Sequence, residues 1–160
     1  MLRLLILIAT HAAVFGLGFA TGVYTLPVII APESPTAAET ELAASRAEYS
    51  GRFRRDLAGS DPLHWGEGTV SVGRQNIVFT GKLAPGPDYK LYLSPEFVET
   101  EGDFLPLKSR MARVGDVKTF DNFVVRVPAS IDVSAYSAVI VWCESFDQFI
   151  TAARYREMVE

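Results

Sequence analysis

Cys143 is the residue in this chain whose type and setting most readily support chemistry. It is the only cysteine among 160 residues, so no internal disulfide and no cysteine-based zinc site can form. It closes the run Ala138-Val139-Ile140-Val141-Trp142-Cys143, sharing one face of a predicted strand with Val139 and Val141. Most free cysteines in such a place are small buried hydrophobes. At a strand end beside Glu144 and Ser145, however, the thiol has a route to solvent, and so to oxidation or ligation. A second constellation is Asp61, His64 and Glu67, recurring every three residues. They would converge on a metal only along a helix, and Pro62 and Gly66 predict a loop instead. Glu96, Glu99, Glu101 and Asp103 offer hard oxygen ligands, but without the order of a calcium loop they read as a solvated acidic loop. Phosphate-loop, dinucleotide, nucleophile-elbow and metalloprotease motifs are missing. No metal site is expected, and a hydrolase would lack a nucleophile–base pair.

The elements that must position these residues change character along the chain. From Ser60 onward, short apolar runs alternate with Gly, Pro and Asp. Strands are predicted at Thr69 to Val72, Asn76 to Thr80, Tyr89 to Ser94, Phe104 to Leu107, Phe120 to Val127 and Ala138 to Cys143. Phe146 to Arg156 reads as a closing helix or strand. Gly73 to Asn76 and Pro85 to Asp88 have turn compositions. No long amphipathic helix separates the strands, so parallel winding is unfavoured. The fold class expected is all-β: an antiparallel β-sandwich or flattened barrel, with the Ala138–Cys143 strand central because it is apolar on both faces.

The amino-terminal part is of another kind. Residues 1–31 hold 22 apolar side chains and a single charge, Arg3, whereas the rest carries a net charge of −5 within a total of −4. Leu4 to Ala31 is long enough to cross a hydrocarbon core of roughly 30 Å. A cleaved signal peptide would end near Gly18-Phe19-Ala20, but the apolar run continues well past it, which favours an uncleaved anchor. Arg3 precedes the span and no Lys or Arg follows before Arg46. This places the N-terminus in the cytoplasm and the remainder outside, in the periplasm or at the cell surface. Gly18 and Gly22 have the spacing of a helix-dimerisation motif, though glycine is also common in membrane helices. His11 is the one ionisable group inside the run, and Pro27 is expected to end or kink the helix.

Residues 32–59 read as a partly helical spacer, opened by a capping box at Thr36 and Glu39. Leu42, Tyr49, Phe53 and Leu57 lie on one stripe, which Gly51 interrupts. Arg52, Arg54 and Arg55 read as a solvated face, with anionic headgroups or a partner as the other use. Residues 60–160 form the β domain. An acidic chain offers no cationic field for phosphates, so nucleic acid is excluded as a partner.

Gly86-Pro87-Asp88-Tyr89, Leu91-Tyr92-Leu93-Ser94, Val127-Pro128 and the segment Tyr136 to Phe146, followed by Phe149, together resemble the DM-thirteen electron-transfer domain family. The resemblance covers roughly residues 60–155, and the closing segment around Trp142-Cys143 is its most specific part. It implies a β-built domain active in electron transfer at the cell surface. Its near-invariant cysteine falls on Cys143, acting as a bare thiol or as ligand to a prosthetic group such as haem. Two departures bear on the shape of the site: Gly81-Lys82-Leu83-Ala84 stands where a Phe usually precedes the turn, and Ile150 replaces a glycine.

On this reading Cys143 is the redox residue, His64 its candidate partner, and Trp142, Phe146 and Phe149 the packing around it. Gly86, Pro87 and Asp88 form the nearby turn. A lipid bilayer and a membrane-borne redox protein are the expected partners, with homodimerisation through Gly18 and Gly22 as a further option. The competing expectation is a non-catalytic β-sandwich module that presents loops 84–90 and 95–118 to a partner or glycan, with Cys143 in the core.

Overall fold

A computed structural model describes residues 1–157. Helix α1, Leu2–Ile30, is 29 residues long and free of buried side chains apart from Pro27. By length and composition it could cross a membrane, and a signal sequence would pass the same criterion. Pro27 does not end it. The helix continues one turn further, and because proline has no N–H, the Val23 carbonyl loses its helical donor. Helix α2, Ala37–Ala44, begins at the capping box read from the sequence. The Glu39 amide donates to Thr36 Oγ1 (3.3 Å), and Glu39 Oε2 accepts from the Thr36 amide (2.8 Å).

Eight strands follow: β1 Tyr49–Phe53, β2 Gly66–Val72, β3 Asn76–Leu83, β4 Tyr89–Ser94, β5 Ala112–Val117, β6 Phe123–Arg126, β7 Ala138–Cys143 and β8 Gln148–Arg154. They form two antiparallel four-stranded sheets, in the orders β1-β2-β3-β6 and β5-β4-β7-β8. The expected sandwich is therefore the observed fold. As expected, β7 is central, lying between β4 and β8, and all six of its residues are buried. One apolar cluster fills the space between the sheets, with Phe53, Phe79, Leu91, Val141 and Cys143 among its members. A smaller one covers the outer face of the second sheet, built on Trp142, Phe104, Phe149 and Tyr92.

Three segments depart from expectation. Tyr49–Phe53 is a strand of the first sheet, so the sheet begins inside the stretch read as a spacer, and Leu42 is exposed. A spacing of four puts Tyr49 and Phe53 on one face of a helix and equally on one face of a strand, so the stripe could not distinguish them. Gly51 decides for the strand, because a Cβ there would lie 2.7 Å from the Arg154 carbonyl oxygen, where β1 crosses close to β8. Phe104–Leu107, expected as a strand, belongs to helix α3, Glu101–Leu107. Thr100 caps that helix by accepting from the Asp103 amide (3.2 Å), so the acidic loop is in fact a helix start. Strand β5 was not expected at all. Leu91 pairs with Gly115 and Tyr92 with Arg113, which leaves Val114 as a bulge and breaks the period of two.

Candidate functional site

Cys143 sits at the end of β7, paired with Tyr89 on β4 and Gln148 on β8. The chain then turns sharply, with Asp147 at φ 47°, a left-handed conformation that Asp tolerates better than most residues. This turn is tied to the Gly86–Asp88 turn. The Glu144 amide donates to the Asp88 carbonyl (3.0 Å), and Ser145 Oγ donates to Asp88 Oδ2 (2.9 Å). Asp88 also pairs with Lys90 (2.6 Å), and Lys90 reaches Asp116 (3.0 Å). The Lys90 ammonium, with Ser145, holds the Asp88 carboxyl below the usual carboxylate range. Gly86 is required by contact: a Cβ would lie 2.4 Å from the Tyr89 ring, whose hydroxyl donates to the Ala84 carbonyl (2.9 Å).

The sulfur itself is enclosed. Cys143 is 3% exposed, and burial pushes its thiol up, against the opposing pull of the backbone amides of Phe146, Asp88 and Ser145. Burial thus disfavours the thiolate at this position.

A cleft of about 720 Å³ lies between this end of the sandwich and the outer part of α1. Cys143, His64, Tyr89 and Phe146 line it from the sandwich, and Phe19, Ala20, Thr21, Val23, Tyr24 and Thr25 from the helix. The structure thus brings His64 and Phe146 to the same cleft as Cys143. Trp142 and Phe149 are placed elsewhere. They point to the outer face of the sheet, where Trp142 stacks on Phe104 with ring centroids 3.9 Å apart, so they do not pack around the thiol. Alternation along β7 dictates this, since adjacent residues face opposite ways. Ile150, standing where the resemblance has glycine, is the bulged residue of β8: Trp142 pairs with Phe149 and Val141 with Thr151. The bulge turns Ile150 inward to the cleft.

His64 is held by Asp61, with Nδ1 2.8 Å from Asp61 Oδ2. Partial burial raises the Asp61 carboxyl, but the His64 ring and the Leu63 and His64 amides outweigh it and leave the group lowered. Glu67 is not part of this pair. It lies on β2 and binds Arg55 (2.9 Å), whose guanidinium also covers the Trp65 ring. The three acidic-or-imidazole residues therefore do not converge, and no cluster of three metal-ligating residues occurs among the described residues. Of the acidic run, Glu96 pairs with Arg110 (2.9 Å), Asp103 helps cap α3, and Glu101 accepts from the Phe149 amide (3.2 Å) and from Gln148. In the helix, His11 Nδ1 is 2.7 Å from the Leu7 carbonyl oxygen.

The residues present do not fit a haem. The sulfur is almost fully buried rather than presented to a ligand, and no Lys or Arg lines the cleft to meet propionates. One side chain missed in the sequence reading is Lys108, which binds Glu144 (2.6 Å) and lies over the Phe104 and Trp142 rings. Its place at the end of α3 became legible only once that helix was recognised.

The antiparallel sandwich carries its sole cysteine at a sheet end, beside an ordered turn. The family model Electron transfer DM13 matches residues 58–155, and the chain belongs to that family. No curated protein and no solved structure matches the chain.

Proposed function

We propose that this chain is a membrane-tethered electron-transfer domain whose redox residue is Cys143. On this reading α1 anchors it, and the β domain lies outside the cytoplasm. Membership of an electron-transfer family supports the role. The observation that carries the cysteine reading is its position: the sole thiol ends β7 against a cleft, at a turn bonded to the Gly86–Asp88 turn. Arg3 before an uncharged span supports the orientation, and a redox protein in the same membrane is the expected electron partner. Gly18 and Gly22 have open space where a Cβ would stand, which leaves that helix face free for a second copy or for another span.

The experiment is sulfur trapping on the full chain in detergent or vesicles. Peroxide converts the thiol to sulfenic acid and is itself reduced to water, and a dione reagent captures the product. Capture at Cys143 in the folded protein supports the redox reading; capture only after unfolding removes it. The near-complete burial of the sulfur favours a second reading, a structural or binding module with Cys143 as core, and the latter outcome would establish it.

A further inference from the structure

We propose that the cleft between α1 and the sandwich binds a lipid-soluble hydroquinone-type carrier entering sideways from the bilayer. The inference rests on reading α1 as a membrane anchor, and it names a ligand class for that site. At 1.5 Å per residue, the 29-residue helix is about 44 Å long, against roughly 30 Å of hydrocarbon. If the helix enters the hydrocarbon at Leu4, just after Arg3, it leaves near Val23, so Phe19 to Thr25 straddle the headgroup boundary. Those are the residues that face Cys143 and His64 across the cleft. Leu63 and Phe146 project from the sandwich at this level, 55% and 54% exposed, as side chains in contact with a membrane would be.

The lining selects among membrane molecules. It includes no lysine, arginine, aspartate or glutamate, so a phospholipid headgroup would find no cation for its phosphate. It is rich in aromatic rings, Phe19, Tyr24, Tyr89 and Phe146, which suit a flat ring with an apolar tail. Thr21, Tyr24 and Gln148 bring hydroxyl and amide groups to the lining, and two acceptors stand beside them. With the His64 Nδ1 position taken by Asp61, Nε2 is the nitrogen left for a ligand. The Val23 carbonyl, deprived of its donor by Pro27, lies on the helix stretch that lines the cleft. A neutral ring carrying hydroxyl donors satisfies both, and a dihydroxybenzene with an alkyl tail is such a molecule. An electron-transfer family gives that redox-active ring a use.

The test uses the full chain in phosphatidylcholine nanodiscs, with decyl-tailed benzohydroquinone as the probe and decylbenzene as the control. Saturable binding of the probe, weakened about tenfold or more by Val23→Trp and by Phe146→Ala, is expected. Val23 lies on the helix and Phe146 on an exposed turn, so the sandwich core is untouched; Arg126→Ala, on β6, should bind as the wild type does. Equal binding of decylbenzene, or probe binding unchanged in both cleft variants, overturns the proposal. Peroxide trapping of Cys143 on the same sample without probe keeps the two readings separate. Probe binding beside an inert thiol upholds the ligand and removes the redox cysteine; an oxidisable thiol without probe binding does the reverse.

Discussion

Trp142 and Cys143 are neighbours on β7, but they face opposite sides of the second sheet and the two sides are finished differently. On the Trp142 side, α3 closes over the sheet. Phe104 stacks on the indole, Tyr92 meets Phe104 edge-on with centroids 5.4 Å apart, and Lys108 lies above both Phe104 and Trp142. On the Cys143 side the core continues inward between the sheets, but its last residue borders a cleft that nothing in the sandwich fills. One face of the strand is therefore a sealed structural surface, while the other is a core with an opening at its end. Burial alone does not separate them, since both residues are at or below 3% exposure. What separates them is what lies beyond the side chain.

The largest expected effect comes from breaking the sealed side. Trp142→Ala should destabilise the domain by about 3–5 kcal/mol, read as a fall in thermal midpoint, because it leaves a large cavity under α3. Trp142→Phe sharpens the point. The indole Nε1 is buried without a partner, so losing it removes no hydrogen bond, and the cost should fall well below that of alanine. On the open side, Cys143→Ala should cost only about 1 kcal/mol in chemical denaturation, being a small truncation beside a cleft. A cost as large as that of Trp142→Ala would mean that the two sides are equally structural.

The next effect concerns the turn beside the cysteine. Lys90 lowers the Asp88 and Asp116 carboxyls by hydrogen bonding and charge. A depressed folded-state pKa contributes stability above the unfolded value near 3.9, which is lost as pH falls through the folded value. Acid titration should therefore weaken the fold below about pH 4, and Lys90→Met should flatten that limb while costing about 1 kcal/mol at neutral pH, discounted for the exposure of Asp116. The smallest effect is expected at Arg55→Ala. This removes an exposed ion pair and a cation–π contact with Trp65 and should change stability by less than about 1 kcal/mol.

The same asymmetry governs how much could be read from the sequence. The apolar run of β7, central in its sheet, and the antiparallel sandwich were legible because alternation and turn residues report burial directly. That Trp142 turns away from Cys143 was also implicit in strand alternation, whereas the cleft was not, because it depends on where α1 lies. Strand β1 was hidden by a spacing that fits two periods, and β5 by the Val114 bulge. Helix α3 was hidden by Phe104 and Leu105, which suit a strand, although Thr100 and Asp103 carried the signal of a helix start.

The segment between α1 and α2 has a consequence for kinetics. It runs from Ala31 to Thr36 and includes Pro32 and Pro35. The Pro35 carbonyl accepts from Asn122 Nδ2 (3.2 Å), and Asn122 Oδ1 in turn accepts from the Gly81 amide (3.2 Å). The five residues from Ala31 to Pro35 span at most about 18 Å when extended, and here the far end is fastened to the sandwich. Such a leash permits no long-range search in solution. With α1 in a bilayer, the domain would meet its partners by diffusion in a plane, at a fixed height and with one end always turned to the surface. Encounter frequency would then follow the density of partners per unit area of membrane rather than their bulk concentration.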